Sequence, residues 1–307
     1  MTDERHPIRG DQQQTDQARS QASQRSGPLP GEFVALCALL ISLVALSIDS
    51  MLPALTTIGA ELRVRGENRA QLVVSALFLG LGLGQMLYGP LSDRFGRKPA
   101  IQVGLAFFVL GSVLSIFATS FPMMLAGRVL QGLGVAGPRI VTVAMVRDRY
   151  AGAAMARIMS LVMTLFILVP TVAPAIGQTI LYLMSWRWIF GMLLAVALVG
   201  WIWLAARQPE TLKPEHRRPF STIAITRGTI ETFRCRTAIG YALATGLVTG
   251  AFFGFLNTAA QMLQEQYGLG TLFPAYFAML ALAQGSAFLL NSRLVMHLGM
   301  KPLTRIA

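Results

Sequence analysis

Charge is scarce in this sequence. Asp, Glu, Lys and Arg make up 13% of its 307 residues, about half the quarter that a soluble domain carries. Hydrophobic residues make up 54% and the mean hydropathy is +0.56. Disordered chains and coiled coils need far more charge than this, so both classes are excluded. Cysteine is limited to Cys37 and Cys235, and histidine to His6, His216 and His297. Two cysteines in separate elements do not staple a small fold, and none of these five residues has ligand spacing for a metal or the partners of a nucleophilic triad. Paired catalytic groups and an ATP-binding motif are also missing, so neither an enzyme nor a primary pump is expected, and no cofactor or metal.

What fills the space between the rare charges is long apolar sequence. Uncharged runs cover Ala70–Ser92, Pro99–Gly127, Ile158–Trp186, Trp188–Ala206, Thr237–Gln264 and Gln266–Ser292. Phe33–Leu55 is broken only by Asp49, and Pro122–Val146 only by Arg128 and Arg139. A bilayer core needs about 20 apolar residues in a helix, and lipid permits no other backbone for a single crossing segment. Eight spans are therefore predicted, at 33–55, 70–90, 99–118, 122–146, 158–181, 187–206, 237–263 and 272–292. The fold class is an all-α polytopic membrane protein. Residues 1–32, with six Gln and almost no large apolar side chain, read as a disordered tail without a signal-peptide pattern.

The net charge of +12 raises the question of nucleic acid, and its distribution answers it. With the N-terminus inside, 20 of the 26 basic residues fall on the cytoplasmic side and four, Arg63, Arg65, Arg69 and Arg187, on the other. That bias is the positive-inside pattern. The basic residues set topology, and no nucleic-acid partner is expected. The match to G-x-G-x-x-G at Gly132–Gly137 lies within a membrane span, without the strand that a dinucleotide site requires. Small residues at this spacing permit close helix packing instead.

One loop recurs. Gly89-Pro-Leu-Ser-Asp-Arg-Phe-Gly-Arg-Lys-Pro99 follows the second span, and Ser292-Arg-Leu-Val-Met-His-Leu-Gly-Met-Lys-Pro302 follows the eighth. Leu91, Gly96, Lys98 and Pro99 reappear as Leu294, Gly299, Lys301 and Pro302 at an offset of 203 residues. Six intervening spans place both copies on the same face, as in transporters built from two parallel six-helix halves.

Gly89–Lys98 resembles the signature loop of the major facilitator superfamily. Leu125-Ala-Gly-Arg-Val-Leu-Gln-Gly-Leu-Gly134 resembles its fourth-helix motif, with Arg128 as the motif arginine. Leu168-Val-Pro-Thr-Val-Ala-Pro-Ala-Ile-Gly177 resembles its fifth-helix antiporter motif, with Ala173 where Gly is usual before Pro174. Together with Ile48-Asp-Ser-Met-Leu-Pro53 and Trp186-Arg-Trp-Ile-Phe190, the sequence is most similar to Bcr/CflA-type bacterial drug/proton antiporters. The resemblance implies a multi-pass protein of the bacterial inner membrane, a monomer, with small-molecule substrates and protons as partners. It also implies two six-helix halves. The expected organisation is a tail (1–32), a complete six-helix bundle (33–206), a cytoplasmic linker (207–236) and two helices of a second half (237–307). The chain thus reads as C-terminally truncated, and a fragment without transport of its own, or a transporter of another small solute, is the alternative.

Ionisable groups inside the bilayer are expensive and point to function. Asp49 and Arg128 each lie six residues from the outer end of their spans, about 9 Å deep. Equal depth permits pairing if spans one and four face each other, as the resemblance implies, and a shift between them would then move a proton on Asp49. A static ion pair, or a solvated Asp49, is the alternative. Arg139 lies eleven residues after Arg128, back on nearly the same face, so a wet central cavity would account for both; snorkelling to the headgroups is the alternative for Arg139. Gly89, Asp93, Arg94, Gly96, Arg97 and Lys98 read as a gate whose charges pair in only one conformation, or as a topogenic basic cluster. Pro170, Pro174 and Gly177 make a kinked, closely packed fifth span, to which the resemblance adds a barrier to proton leak. Met51, Tyr88, Phe253, Asn257, Gln261 and Gln284 are candidates for an adaptable cavity surface, or for helix–helix contacts.

Overall fold

The computed structural model describes residues 30–66, 69–217, 230–231, 233–268 and 272–298. Every regular element among these is helical. We number the longer ones α1 (Pro30–Asp49), α2 (Leu55–Glu61), α3 (Leu72–Phe95), α4 (Arg97–Ile116), α5 (Phe121–Arg149), α6 (Gly152–Leu183), α7 (Arg187–Arg207), α8 (Arg236–Gln261) and α9 (Phe273–Leu298). Seven stretches among the described residues are long and apolar enough to cross a membrane, with α1 and α2 counted as one. α9 lies over the eighth expected span. Leu79, Met86, Leu110, Leu198 and Ile202 stand exposed on the outside of the bundle, a surface that lipid covers and water would not.

The first span differs from the uninterrupted helix expected over 33–55. α1 stops at Asp49, a 3₁₀ turn follows at Leu52–Ala54, and α2 carries on to Glu61. Pro53 explains the break. It has no N–H for the Asp49 carbonyl four residues earlier, and its ring crowds that carbonyl. The same helix begins at Pro30, inside the segment expected as tail, because Glu32 is held there: it accepts hydrogen bonds from Arg207 (2.8 and 3.0 Å) and from Trp203 Nε1 (3.0 Å). At the other end Glu61 accepts from Arg187 and Trp186. The α1–α2 pair is thus tied to α7 by a Glu–Arg–Trp cluster at each tip.

The segment expected as a loop over Gly89–Lys98 is mostly helix. α3 runs through Pro90 to Phe95, Gly96 alone turns the chain, and α4 starts at Arg97. Gly96 has φ 108°, a conformation that only glycine adopts without strain. α5 is the centre of the bundle and packs along both α3 and α4. A methyl group at Gly132 would strike the Leu77 carbonyl of α3, and one at Gly134 the Phe108 amide of α4. The glycine pattern therefore serves close packing. The tail residues 1–29, the linker residues 218–229, and the side chains of the repeated segment from Ser292 onward lie outside the described residues.

Candidate functional site

Arg128 is fully buried and sits where five elements meet. Its guanidinium donates to the carbonyls of Val73 (3.0 Å) on α3 and Ser47 (3.0 Å) on α1, and to Gln131 Oε1 (2.9 Å) on its own helix. Gln131 Nε2 in turn donates to Ser112 Oγ (2.8 Å) on α4. The Phe190 ring of α7 lies 5.9 Å from the guanidinium. A buried charge is costly unless its donors are satisfied, and here carbonyl and amide oxygens satisfy them.

This corrects the pairing expected from depth. Among the described residues Arg128 makes no ion pair, with Asp49 or any other acid. The physical reason is angular. Ser47 and Asp49 are two residues apart, about 200° around a helix, so an α1 that turns Ser47 towards Arg128 turns Asp49 away. Equal spacing from the span ends does not bring two side chains onto facing sides.

Asp49 faces a cavity of about 470 Å³ between α1, α3, α5, α6, α8 and α9. It is 4% exposed, and among the described residues it has neither an ion pair nor a side-chain hydrogen bond. Arg139 lines the same cavity, as does Gln284 of α9. The expectation that one wet cavity would hold both Arg128 and Arg139 is therefore half corrected. At Arg128 the neighbouring helices close around the guanidinium; Arg139 stands in the cavity wall. Apart from Thr249 the rest of the wall is apolar, with Phe78, Phe166, Phe255 and Phe277 contributing rings and Pro170 contributing from α6.

Met51 and Tyr88 are not among the residues lining this cavity. Met51 is fully buried in the core, and Tyr88 packs its ring over Gly137 of α5. Phe253, Asn257 and Gln261 lie on α8, but their side chains are outside the described residues. In α6, Pro174 and Gly177 are buried, and the helix is continuous through both prolines. A Cβ at Gly177 would collide with the Ser50 carbonyl, so α6 presses against the break in the first span one residue beyond Asp49.

A second cluster surrounds Arg97. Its guanidinium donates to Asp93 Oδ1 (2.6 Å), Ser92 Oγ (2.8 Å) and Asp148 Oδ2 (2.7 Å). The backbone N–H groups of Arg97 and Lys98 donate to the two carboxylate oxygens of Glu210 (2.9 and 3.1 Å), which caps the positive end of α4. Lys98 Nζ reaches the Ala205 carbonyl (2.8 Å) at the end of α7. Arg94 lies 5.0 Å from the ring of Phe95, and the Gly89 carbonyl accepts from Ser92 Oγ. Sequence reading missed Asp148, Glu210 and Gln131. Their signals were faint: a lone acid closing span four, another four residues past span six, and an amide one turn from a buried arginine.

The described residues form an all-helical bundle with a charged clasp at one end and a largely apolar cavity that holds ionisable groups. Its family and relatives are membrane transporters, not enzymes. The Major Facilitator Superfamily profile matches residues 35–307, and the chain belongs to that family. It is 31% identical over 280 residues to an uncharacterized MFS-type transporter, YdgK, of Bacillus subtilis, covering 89% of this chain and 68% of the relative. It is 29% identical over 276 residues to a bicyclomycin resistance protein homolog of Haemophilus influenzae, covering 90% and 69%. With the multidrug resistance protein MdtL of Escherichia coli it shares 29% identity over 231 residues, covering 75% and 57%. Among solved structures, the xylose transporter XylE of E. coli in a partially occluded inward-open conformation superposes with a TM-score of 0.66 at 14% identity, covering 90% of this chain and 75% of that one. The human organic anion transporter MFSD10 gives 0.62 at 18%, covering 83% and 70%.

Proposed function

We propose that this transporter exports small, largely apolar, drug-like compounds in exchange for protons across a bacterial inner membrane. The observation that carries the reading is Asp49: a carboxyl group in the cavity wall without a partner among the described residues. A proton and a substrate that compete for one such group are coupled, because arrival of either displaces the other. The aromatic wall suits varied apolar substrates, and two relatives carry drug-resistance names. In this reading the chain acts as a monomer with its N-terminus cytoplasmic. A six-helix bundle (33–206), a linker (207–236) and a second helical unit (237–307) are its parts, and the Arg97 cluster is a latch that stabilises one of two conformations.

The test uses proteoliposomes holding the full chain, with efflux of a fluorescent apolar cation followed before and after the proton gradient is collapsed. Gradient-driven efflux is expected, and Asp49→Asn is expected to abolish it while leaving substrate binding in place. Substrate-triggered proton release that persists in Asp49→Asn removes Asp49 from the role. A chain that binds the substrate but never moves it favours a transport-incompetent reading instead.

A further inference from the structure

The cavity wall carries one acidic and one basic group, and neither has a pairing partner among the described residues. Arg139 is partly enclosed in the wall. Among the described residues it has no ion pair and no side-chain hydrogen bond, so none of them supplies an acceptor for its five N–H donors. Asp49 lines the same space, and the two do not approach closely enough to neutralise each other. Aromatic and aliphatic side chains make up most of the remaining wall.

A purely cationic ligand gains from Asp49 but leaves Arg139 unpaired in a poorly solvated site, and is repelled by it. A purely anionic ligand has the opposite difficulty. A ligand with a cationic end, an anionic end and an apolar body that holds them apart satisfies both groups. We propose that the cavity selects zwitterionic aromatic compounds, with Arg139 as the residue that reads the anionic end. The proposal rests on the reading of this cavity as the substrate site and deepens it by fixing the charge pattern of the ligand.

A second cavity, of about 480 Å³, supports the assignment. It shares Arg139 and Phe166 with the first and reaches Arg147, exposed near the end of α5. An anionic group that leaves Arg139 in that direction meets a second guanidinium, whereas among the described residues no acid lines that cavity. The basic residues form a path for the anionic end alone, since a cation would be repelled along it.

The test is calorimetric binding to the full chain in lipid nanodiscs. The probes are 4-(piperazin-1-yl)benzoate, its methyl ester, which keeps only the cation, and its N-acetyl derivative, which keeps only the anion. The zwitterion is expected to bind about tenfold or more tightly than either relative. Arg139→Gln is expected to weaken binding of the zwitterion and to tighten that of the ester until the two are about equal, with Arg139→Lys recovering part of the difference. Equal affinity across the three probes, no binding of any, or an equal loss for zwitterion and ester in Arg139→Gln overturns the proposal. Efflux of the ester under a proton gradient separates this outcome from the antiport reading. Ester export without zwitterion preference sinks the charge-pattern proposal alone, and Arg139-dependent zwitterion binding without proton-driven flux sinks antiport alone.

Discussion

Gly177 shows how little space the site leaves. Its Cα faces the Ser50 carbonyl so closely that a methyl group has nowhere to go, and the obstacle is backbone, which cannot rotate aside. Gly177→Ala is expected to destabilise the protein by about 1–3 kcal/mol, seen as a lower melting temperature in detergent. Gly82→Ala, on an exposed face of α3 with open space around it, is expected to leave the temperature unchanged or to raise it slightly. At this scale the sequence disclosed residue types better than partners. Asp49, Arg128 and Arg139 stand out as charges in apolar runs, yet their partners depend on azimuth. Spacing along one helix gives the angle between Ser47 and Asp49, but not which of them a neighbouring helix will face. Phe78, Phe166, Phe255 and Phe277 carried no mark that set them apart from other apolar residues, because a cavity is made by helices standing apart and not by composition.

Whole helices were legible because lipid imposes length and hydropathy on each, and the expected spans coincide with helices in the structure. The exceptions follow from single residues. Pro53 ends α1 early, while Pro90, Pro138, Pro170 and Pro174 are carried within helices, so a proline alone did not decide between break and passage. Glu210 decides how α4 begins. One carboxylate caps two amides at the N-terminus of α4 and also accepts from the N–H groups of Thr211 and Leu212 (2.8 and 2.9 Å), which folds the chain after α7 against the Arg97 cluster. Glu210→Ala removes all four acceptor contacts. It is expected to cost about 1–2 kcal/mol, as loss of a helix cap does, and to free the segment after Arg207. Trypsin cleavage after Arg217 should then be several-fold faster than in the parent protein, measured by gel at matched protease. Unchanged cleavage would show that Glu210 does not anchor this segment.

At the scale of the molecule, topology rests on the distribution of basic residues and is open to a direct reading. Cys37 is buried in α1, and Cys235 is exposed at the start of α8. A membrane-impermeant maleimide is expected to label one site per chain, at Cys235, in inside-out vesicles, and none in right-side-out ones. The reverse pattern would invert the orientation, and Cys235→Ser is expected to abolish labelling in either preparation. The two glutamate clusters carry a mechanical consequence. The first span is anchored to α7 at both extremities, by Glu32 and by Glu61, and is notched between them at Pro53. A beam pinned at its ends and weakened between them, nearer the Glu61 end, cannot swing; it can only bow. Displacement of Asp49 against its surroundings is then a local flexure beside a stationary frame, in which the tips keep their places and the notch supplies the stroke.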